Sequence, residues 1–467
     1  MIVRHSRLFL SLLLSGTLLS GCVQGDYGST ASPVAPPATW TQTAGTNAAS
    51  PWPAADWWGG FGSAELVSLL ADARKANPDL AAAAARLLQA DARARAAGAD
   101  LLPTVNASAG ISRQETDLSG AGGRSGRSSA NAGLSASYEL DFWGANRAAA
   151  DSAAISAAIS RLDQETVALT VTSTVANTYF QVLSLRDRIR SAEENLTLAE
   201  RVMAVVDARF RNGAATALEV AQQRTALTSQ RATLPALRQQ ELAASNALAV
   251  LLGRAPADLS LSATGLGGLG LPATGAGAPA DLLERRPDLK AASKQLEAAG
   301  ADIVAARAAL YPSATLNLSG NLTGGGLSTL INAPNAVANA GLSLAQSLFD
   351  GGRRSAQVEV AQARRVELVE TYRKAILTGF SDVETALSAA RNAEKQRVLQ
   401  EEAVRLAREL FRLAETRYRE GATDLLTLLD AQRSLLSAQD QLTQVRLSEL
   451  QAAISLYRAL GGGWTAA

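Results

Sequence analysis

Two stretches of this chain, 145–211 and 354–420, each run 67 residues without a proline, and the only glycine inside either is Gly379. Uninterrupted runs of this kind read as single helices. At 1.5 Å per residue each would be about 100 Å long. No ordinary globular helix reaches that length. Gly213 and Gly421 sit where a left-handed C-cap would turn the chain. Shorter helices then return, from about Ala217 to Leu252 and from about Asp424 to Leu460. Ala and Ser throughout these segments permit close helix approach in coiled-coil fashion. Length alone fits a bare coiled-coil spacer equally well.

The two long runs belong to an internal duplication. Pro78-Asp79-Leu80 recurs as Pro287-Asp288-Leu289, and Leu101-Leu102-Pro103 as Leu310-Tyr311-Pro312, at an offset of 209. Phe142-Trp143-Gly144 with Arg147 matches Phe349-Asp350-Gly351 with Arg354 at an offset of 207. Arg209-Phe210-Arg211-Asn212-Gly213 matches Arg417-Tyr418-Arg419-Glu420-Gly421 at an offset of 208. A period this long excludes a solenoid and indicates a duplicated domain.

In the first half helix runs from about Ser63 to Lys75 and then from about Asp79 to Leu101, where Pro103 ends it. The period then changes from helical to twofold. Val105, Ala107, Ala109 and Ile111 alternate with polar residues. After a Gly/Ser/Arg-rich loop near 117–130, so do Ala132, Leu134, Ala136, Tyr138, Leu140 and Phe142. In the second half Leu316, Leu318 and Leu322 alternate, then Ala338, Ala340, Leu342, Leu344 and Leu348. Strands of about 9–12 residues match a tilted bilayer crossing. Tyr138, Phe142, Trp143, Tyr311 and Phe349 cluster where strand meets helix, as an interfacial aromatic belt does. A soluble two-hairpin sheet is the alternative.

The N-terminus adds a membrane signal. Arg4, His5 and Arg7 precede an apolar run from Leu8 to Leu19, the pattern of a secretory signal. Leu19-Ser20-Gly21-Cys22 resembles the bacterial lipoprotein box, which implies cleavage before Cys22, acylation of its thiol and, with Val23 following, sorting to the outer membrane. An ordinary signal peptide with an incidental cysteine is the competing reading. Cys22 is the only cysteine and His5 the only histidine. Beyond Cys22 there is therefore no imidazole or thiol for zinc sites, triads or dyads. No catalytic residue, metal site or cofactor is expected apart from the covalent lipid on Cys22. A formal net charge of +1 gives no electrostatic case for nucleic acid.

Two hairpins supply four strands, and membrane barrels begin at about eight. An open edge in hydrocarbon leaves unpaired backbone groups costing several kcal/mol each, so a barrel has to be shared between chains. Two chains would fill its interior with side chains, and three would leave a lumen.

With the lipobox and the duplicated plan, Arg417-Tyr418-Arg419-x-Gly421, the run Leu428-Leu429-Asp430-Ala431-Gln432-Arg433-Ser434-Leu435-Leu436 and the ending Ala459-Leu460-Gly461-Gly462-Gly463-Trp464 resemble the outer membrane factors. The closest branch is the TolC/OprM-like lipoproteins of efflux systems. The resemblance implies a mainly α fold with a β part: a duplicated helix–β-hairpin–long helix–helix forming a homotrimer with a shared 12-stranded barrel, a periplasmic α-helical barrel and an equatorial domain. It also implies an outer-membrane location and passive export of drugs or other small molecules. The implied partners are a periplasmic adaptor and, through it, an inner-membrane pump of RND or related type. The expected divisions are a signal peptide (1–21), a lipid-anchored extended tether (22–56), a first repeat (57–256, hairpin about 104–142), an equatorial linker (257–281) and a second repeat (282–467, hairpin about 313–349).

In this family the tube closes at its periplasmic tip. Leu426, Asp430 and Arg433 match gate positions, and their spacing puts all three on one helical face. Glu219 matches an acidic gate position in the first half. The expectation is a hydrophobic constriction at Leu426 and a cation-attracting ring at Asp430 and Glu219, with Arg433 or a neighbouring Arg pairing on closure. Arg417 and Tyr418 support the tip. The turns at Asn212, Gly213, Glu420 and Gly421 are candidate adaptor contacts. Thr423 stands where the protein-secretion branch often carries a basic residue, which favours efflux over a type I secretion tunnel. A non-conducting trimeric spacer or adhesin is the remoter alternative.

Overall fold

The computed structural model describes residues 32–41, 56–118, 123–272 and 275–462. The signal segment and Cys22 lie outside them, as does Trp464. The elements, in order, are α1 (Ala64–Ala76), α2 (Pro78–Ala99), β1 (Thr104–Leu118), β2 (Gly123–Leu140), α3 (Ala145–Arg211), α4 (Ala217–Leu251), α5 (Leu282–Arg285), α6 (Pro287–Ala308), β3 (Ser313–Gly324), α7 (Leu327–Asn332), β4 (Asn335–Ala345), α8 (Arg353–Arg419) and α9 (Leu425–Ala459). Both long helices are continuous over 67 residues. No helix among the described residues is long and apolar enough to cross a membrane.

The chain divides into two compact units. Among the described residues the first comprises 88–159 and 292–371. Its centre is one antiparallel sheet in the order β1-β2-β3-β4, in which β2 and β3 join the two hairpins. The register places apolar residues opposite apolar ones in every ladder. Val105 faces Ala136, Tyr138 faces Leu316, and Leu316 faces Leu342. Because side chains alternate between faces, all of these share one face. Val105, Ile111, Leu134, Leu318, Leu342 and Leu344 are exposed on it. β1 and β4 are the edges of the sheet.

Here the structure corrects three expectations. β1 and β2 are 15 and 18 residues long, beyond the expected 9–12. The loop expected near 117–130 is mostly strand, because Leu118 already pairs with Gly123. Gly and Ser hide the twofold pattern without preventing the backbone ladder, which needs only N–H and C=O groups. Between β3 and β4 the six-residue α7 was not anticipated.

The second unit comprises 32–87, 160–291 and 372–462 among the described residues. Its main core gathers Trp57, Phe61, Leu66, Leu70, Tyr179, Phe180, Leu248, Ile454 and Tyr457. Trp57 stacks on Tyr457 with centroids 4.2 Å apart, and Phe61 meets Phe180 edge-on at 5.0 Å. Within α3 the hydroxyls of Thr166, Thr170, Thr174 and Thr178 each donate to the carbonyl four residues back. Thus these four threonine hydroxyls find partners within the helix itself.

Glu65 closes this core against the 257–281 segment. Its carboxylate accepts from Ser262 N at 2.5 Å, Ser262 Oγ at 2.8 Å, Ala263 N at 3.2 Å and Tyr179 Oη at 2.8 Å. Burial raises the Glu65 pKa, but the hydrogen bonds from Ser262, Tyr179 and Ala263 outweigh it and hold the group below its ordinary value. Burial together with the neighbouring Glu65 carboxylate pushes Tyr179 up to about 12.

The segment expected as a tether is also corrected. Within the described 32–41, Trp40 is buried, donates from Nε1 to the carbonyls of Ala276 and Gly277, and meets Phe380 edge-on. Thr41 N donates to Glu384 Oε1 at 2.7 Å. One buried tryptophan brings enough apolar area to dock a proline-rich segment that has no regular secondary structure.

Candidate functional site

The candidate site lies where α3 turns into α4 and α8 into α9. Gly213 and Gly421 have φ of 72° and 76°, a region other residues enter only with strain. Each is the turning residue of a Schellman cap. Ala214 N donates to Arg209 O and Gly213 N to Phe210 O; likewise Ala422 N donates to Arg417 O and Gly421 N to Tyr418 O. The duplication thus repeats a cap as well as a sequence. Asn212 and Glu420 are exposed beside these glycines.

The returning helices start differently. Thr216 and Glu219 form a reciprocal capping box at the head of α4, whereas Asp424 alone caps α9, accepting from Thr427 N at 2.9 Å. Glu219 therefore has a structural partner in one carboxylate oxygen. The other accepts from Tyr418 Oη at 3.4 Å.

Tyr418 is buried, and the Arg209 guanidinium lies 4.6 Å over its ring. Arg209 also donates to the Tyr418 and Ala214 carbonyls. A cation stacked on an aromatic face while bonding two carbonyls ties the first tip turn to the second. Burial, then the Glu219 charge, raises the Tyr418 pKa. Arg209 is the positioning residue that sequence reasoning passed over. Arg417, its equivalent in the repeat, is exposed.

Leu426, Asp430 and Arg433 are all exposed on α9, while Leu425, Leu428, Leu429, Gln432 and Leu435 on the same helix are buried. Asp430 and Arg433 pair at 3.4 Å with side chains 63% and 68% exposed. Such a pair contributes under about 1 kcal/mol to stability. Leu426 and Arg433 line a groove with Leu218, Gln222 and Thr225 of α4. Leu218 is the repeat equivalent of Leu426 at the offset of 208 and is likewise exposed. The offset could have singled it out from the sequence.

In the sheet-bearing unit, Trp143 and Tyr311 stack with centroids 4.7 Å apart, and Trp143 Nε1 donates to Pro312 O at 2.8 Å. Phe142 and Phe349 are exposed, and Tyr138 is half-buried on β2. No group of three or more His, Cys, Asp or Glu residues placed to hold a metal occurs among the described residues.

A mainly helical chain with a duplicated hairpin, an apolar-faced open sheet and paired helical tip turns has the build of an outer-membrane channel subunit. The chain belongs to the outer membrane efflux protein family, which matches residues 69–254 and 278–462. It is 45% identical over 461 residues to the pyoverdine export outer membrane protein OpmQ of Pseudomonas aeruginosa, covering 96% of each chain. It is 34% identical to the probable efflux pump outer membrane protein TtgC of Pseudomonas putida, covering 97% of this chain and 95% of that one. Its fold superposes on the outer-membrane channel OprN with a TM-score of 0.85 at 27% identity, over 93% of this chain and all of that one. The protein is an outer-membrane efflux channel with an α-helical barrel part and a β part.

Proposed function

We propose that this chain is the outer-membrane exit duct of a tripartite efflux system, working as a homotrimer. The observation that carries the reading is the open four-stranded sheet with an exposed apolar face and two edges. Three copies joined β4 to β1 give a 12-stranded barrel without edges, apolar toward lipid and wide enough for a lumen. The Trp143–Tyr311 stack with Phe142 and Phe349 then anchors the rim at the lipid interface. Acylation of Cys22 tethers each copy to the same leaflet. The chain acts as a conduit rather than a catalyst.

The gate is built at the tip. Leu426 and its equivalent Leu218 form the apolar constriction, and Asp430 forms a cation-attracting ring steadied by Arg433. Glu219 acts mainly through the capping box and Tyr418. Asn212, Gly213, Glu420 and Gly421 present the turns to a periplasmic adaptor, which couples the duct to an inner-membrane pump. Relatives named for pyoverdine export support a small-molecule cargo of that kind, and Thr423 supports efflux over protein secretion.

The purified full-length protein is expected to migrate as a heat-modifiable trimer and to give single-channel currents in planar bilayers. A monomeric, electrically silent preparation overturns the reading. Expression in a Pseudomonas strain lacking OpmQ should restore extracellular pyoverdine; channel currents without restoration would reject the cargo alone.

A further inference from the structure

The face of the sheet opposite the apolar one has its own chemistry. Asn106 sits beside Ser135, Ser137 beside Asn317, and Ser319 beside Asn339. Alternation puts all six on that face. Bonds across the ladders mark it too: the Ser112 and Ser129 hydroxyls meet at 2.8 Å, and Ser137 Oγ donates to Asn317 Oδ1 at 3.0 Å. Among the described residues of the four strands, only Arg127 and Glu139 on this face are ionisable. Hydroxyls and amides both donate and accept, so they take polar solutes of either charge. Any preference for one sign falls to the two ionisable residues.

Those two stand at opposite ends of the sheet. Glu139 is next to the last residue of β2, and α2, α3, α6 and α8 all join the strands at that end. Arg127 is twelve residues away along β2, or about 40 Å. The last pair between β2 and β3 is Ala130 with Gly324. Arg127, opposite Gln114, therefore lies where the first hairpin projects past β3. It is exposed and has no carboxylate partner among the described residues. Arg113, on the apolar side of the same hairpin, is instead bound by Glu115 at 3.1 Å. The hairpin neutralises the arginine on its lipid side and leaves the other one charged.

We propose that Arg127 of the three subunits forms a cationic ring at the outer mouth of the duct, which draws small anions through and opposes the return of cations. The inference rests on the trimeric reading above and adds a charge preference to it. Twelve strands about 4.8 Å apart and tilted by about 40° close at a radius of about 12 Å. Guanidinium groups reaching inward from that wall come within a Debye length of an ion on the axis, about 10 Å at 0.1 M salt. Glu139 lies several such lengths away and does not cancel the ring. An anionic cargo thus meets attraction at the exit, while a cationic solute arriving from outside meets repulsion first.

Reversal potentials of the full-length protein in planar bilayers, across a potassium chloride gradient, test the ring. Arg127→Ser is expected to raise the ratio of potassium to chloride permeability about fivefold in 0.1 M salt, and further in 0.01 M. Arg127→Glu should raise it more, and Arg127→Lys should keep the wild-type ratio, since charge and not guanidinium shape is required. Arg127→Cys, modified in the assembled channel by a sulfonate-bearing thiosulfonate added on the outer side, repeats the charge reversal without asking a new sequence to fold. Conducting Arg127→Ser and Arg127→Glu channels with an unchanged ratio overturn the ring, as does a shift that stays constant from dilute to concentrated salt. A wild-type protein that conducts nothing overturns the channel reading instead.

Discussion

The core around Phe180 and the tip around Tyr418 lie in the same compact unit and use the same helices, α3, α4 and α9, with α8 added at the tip. They are held by different means. The core stacks Trp57 on Tyr457 and Phe61 against Phe180, and its carboxylate, Glu65, is bound by four donors. The tip cluster has only Phe411 and Tyr418 as aromatic rings, the latter under Arg209, with exposed Leu426, Asp430 and Arg433 along its margin. Dense aromatic burial resists rearrangement because any opening exposes large apolar area. A few directional contacts can be exchanged one at a time. The difference locates stability in the core and switching at the tip.

The sharpest way to break this comparison is to truncate one aromatic side chain in the core. Phe180→Ala should cost about 3–5 kcal/mol, read as a large fall in the thermal midpoint of the solubilised protein. A fall no greater than that caused by Leu426→Ala would refute the division. Arg209→Ala should cost about 1–2 kcal/mol, since a stack and two bonds to carbonyls are lost. Unlike the core change, it should raise the open fraction in bilayer recordings. Thr216→Ala, which removes half of the capping box, should cost about 1 kcal/mol, seen as a modest drop in midpoint.

Glu65→Gln sharpens the comparison through pH. A carboxylate whose folded pKa lies below its unfolded value adds stability that is complete above the unfolded value, 4.5 for glutamate, and is lost as pH falls through the lowered folded value. The wild type should therefore lose midpoint on acidification below about pH 4.5. The variant should be less stable at neutral pH by about 1 kcal/mol, the site being partly solvated, with a flatter acid limb. The smallest stability effect belongs to Asp430→Ala, under about 0.5 kcal/mol for an exposed pair. Cation block of the channel should nevertheless be lost; block of wild-type strength would remove Asp430 from the gate.

Much of the architecture was legible because it rests on local rules. The absence of proline marked α3 and α8 to within a residue, and the turn glycines marked both Schellman caps. The alternation of Val105 to Ile111 and of Leu316 to Leu322 marked β1 and β3. Legibility failed where side chains say little, as in the Gly/Ser-rich start of β2, or where one residue docks at long range, as Trp40 does on Phe380. At the tip, the motif pointed to Tyr418 and Glu219 but not to Arg209, since stacking across 209 residues of chain leaves no local pattern.

What the amino-acid order determined by itself was the duplicated plan, the helix lengths, the caps and the apolar face of the strands. All of these follow from dihedral preferences, hydrogen-bond periodicity and the spacing of apolar residues along one chain. What only the tertiary structure decided was which of two equivalent residues is covered. Val202 and Leu410, like Tyr418 and Phe210, occupy matching positions in the two repeats. Burial depends on what lies opposite, so Val202 and Tyr418 are covered while their counterparts Leu410 and Phe210 are exposed.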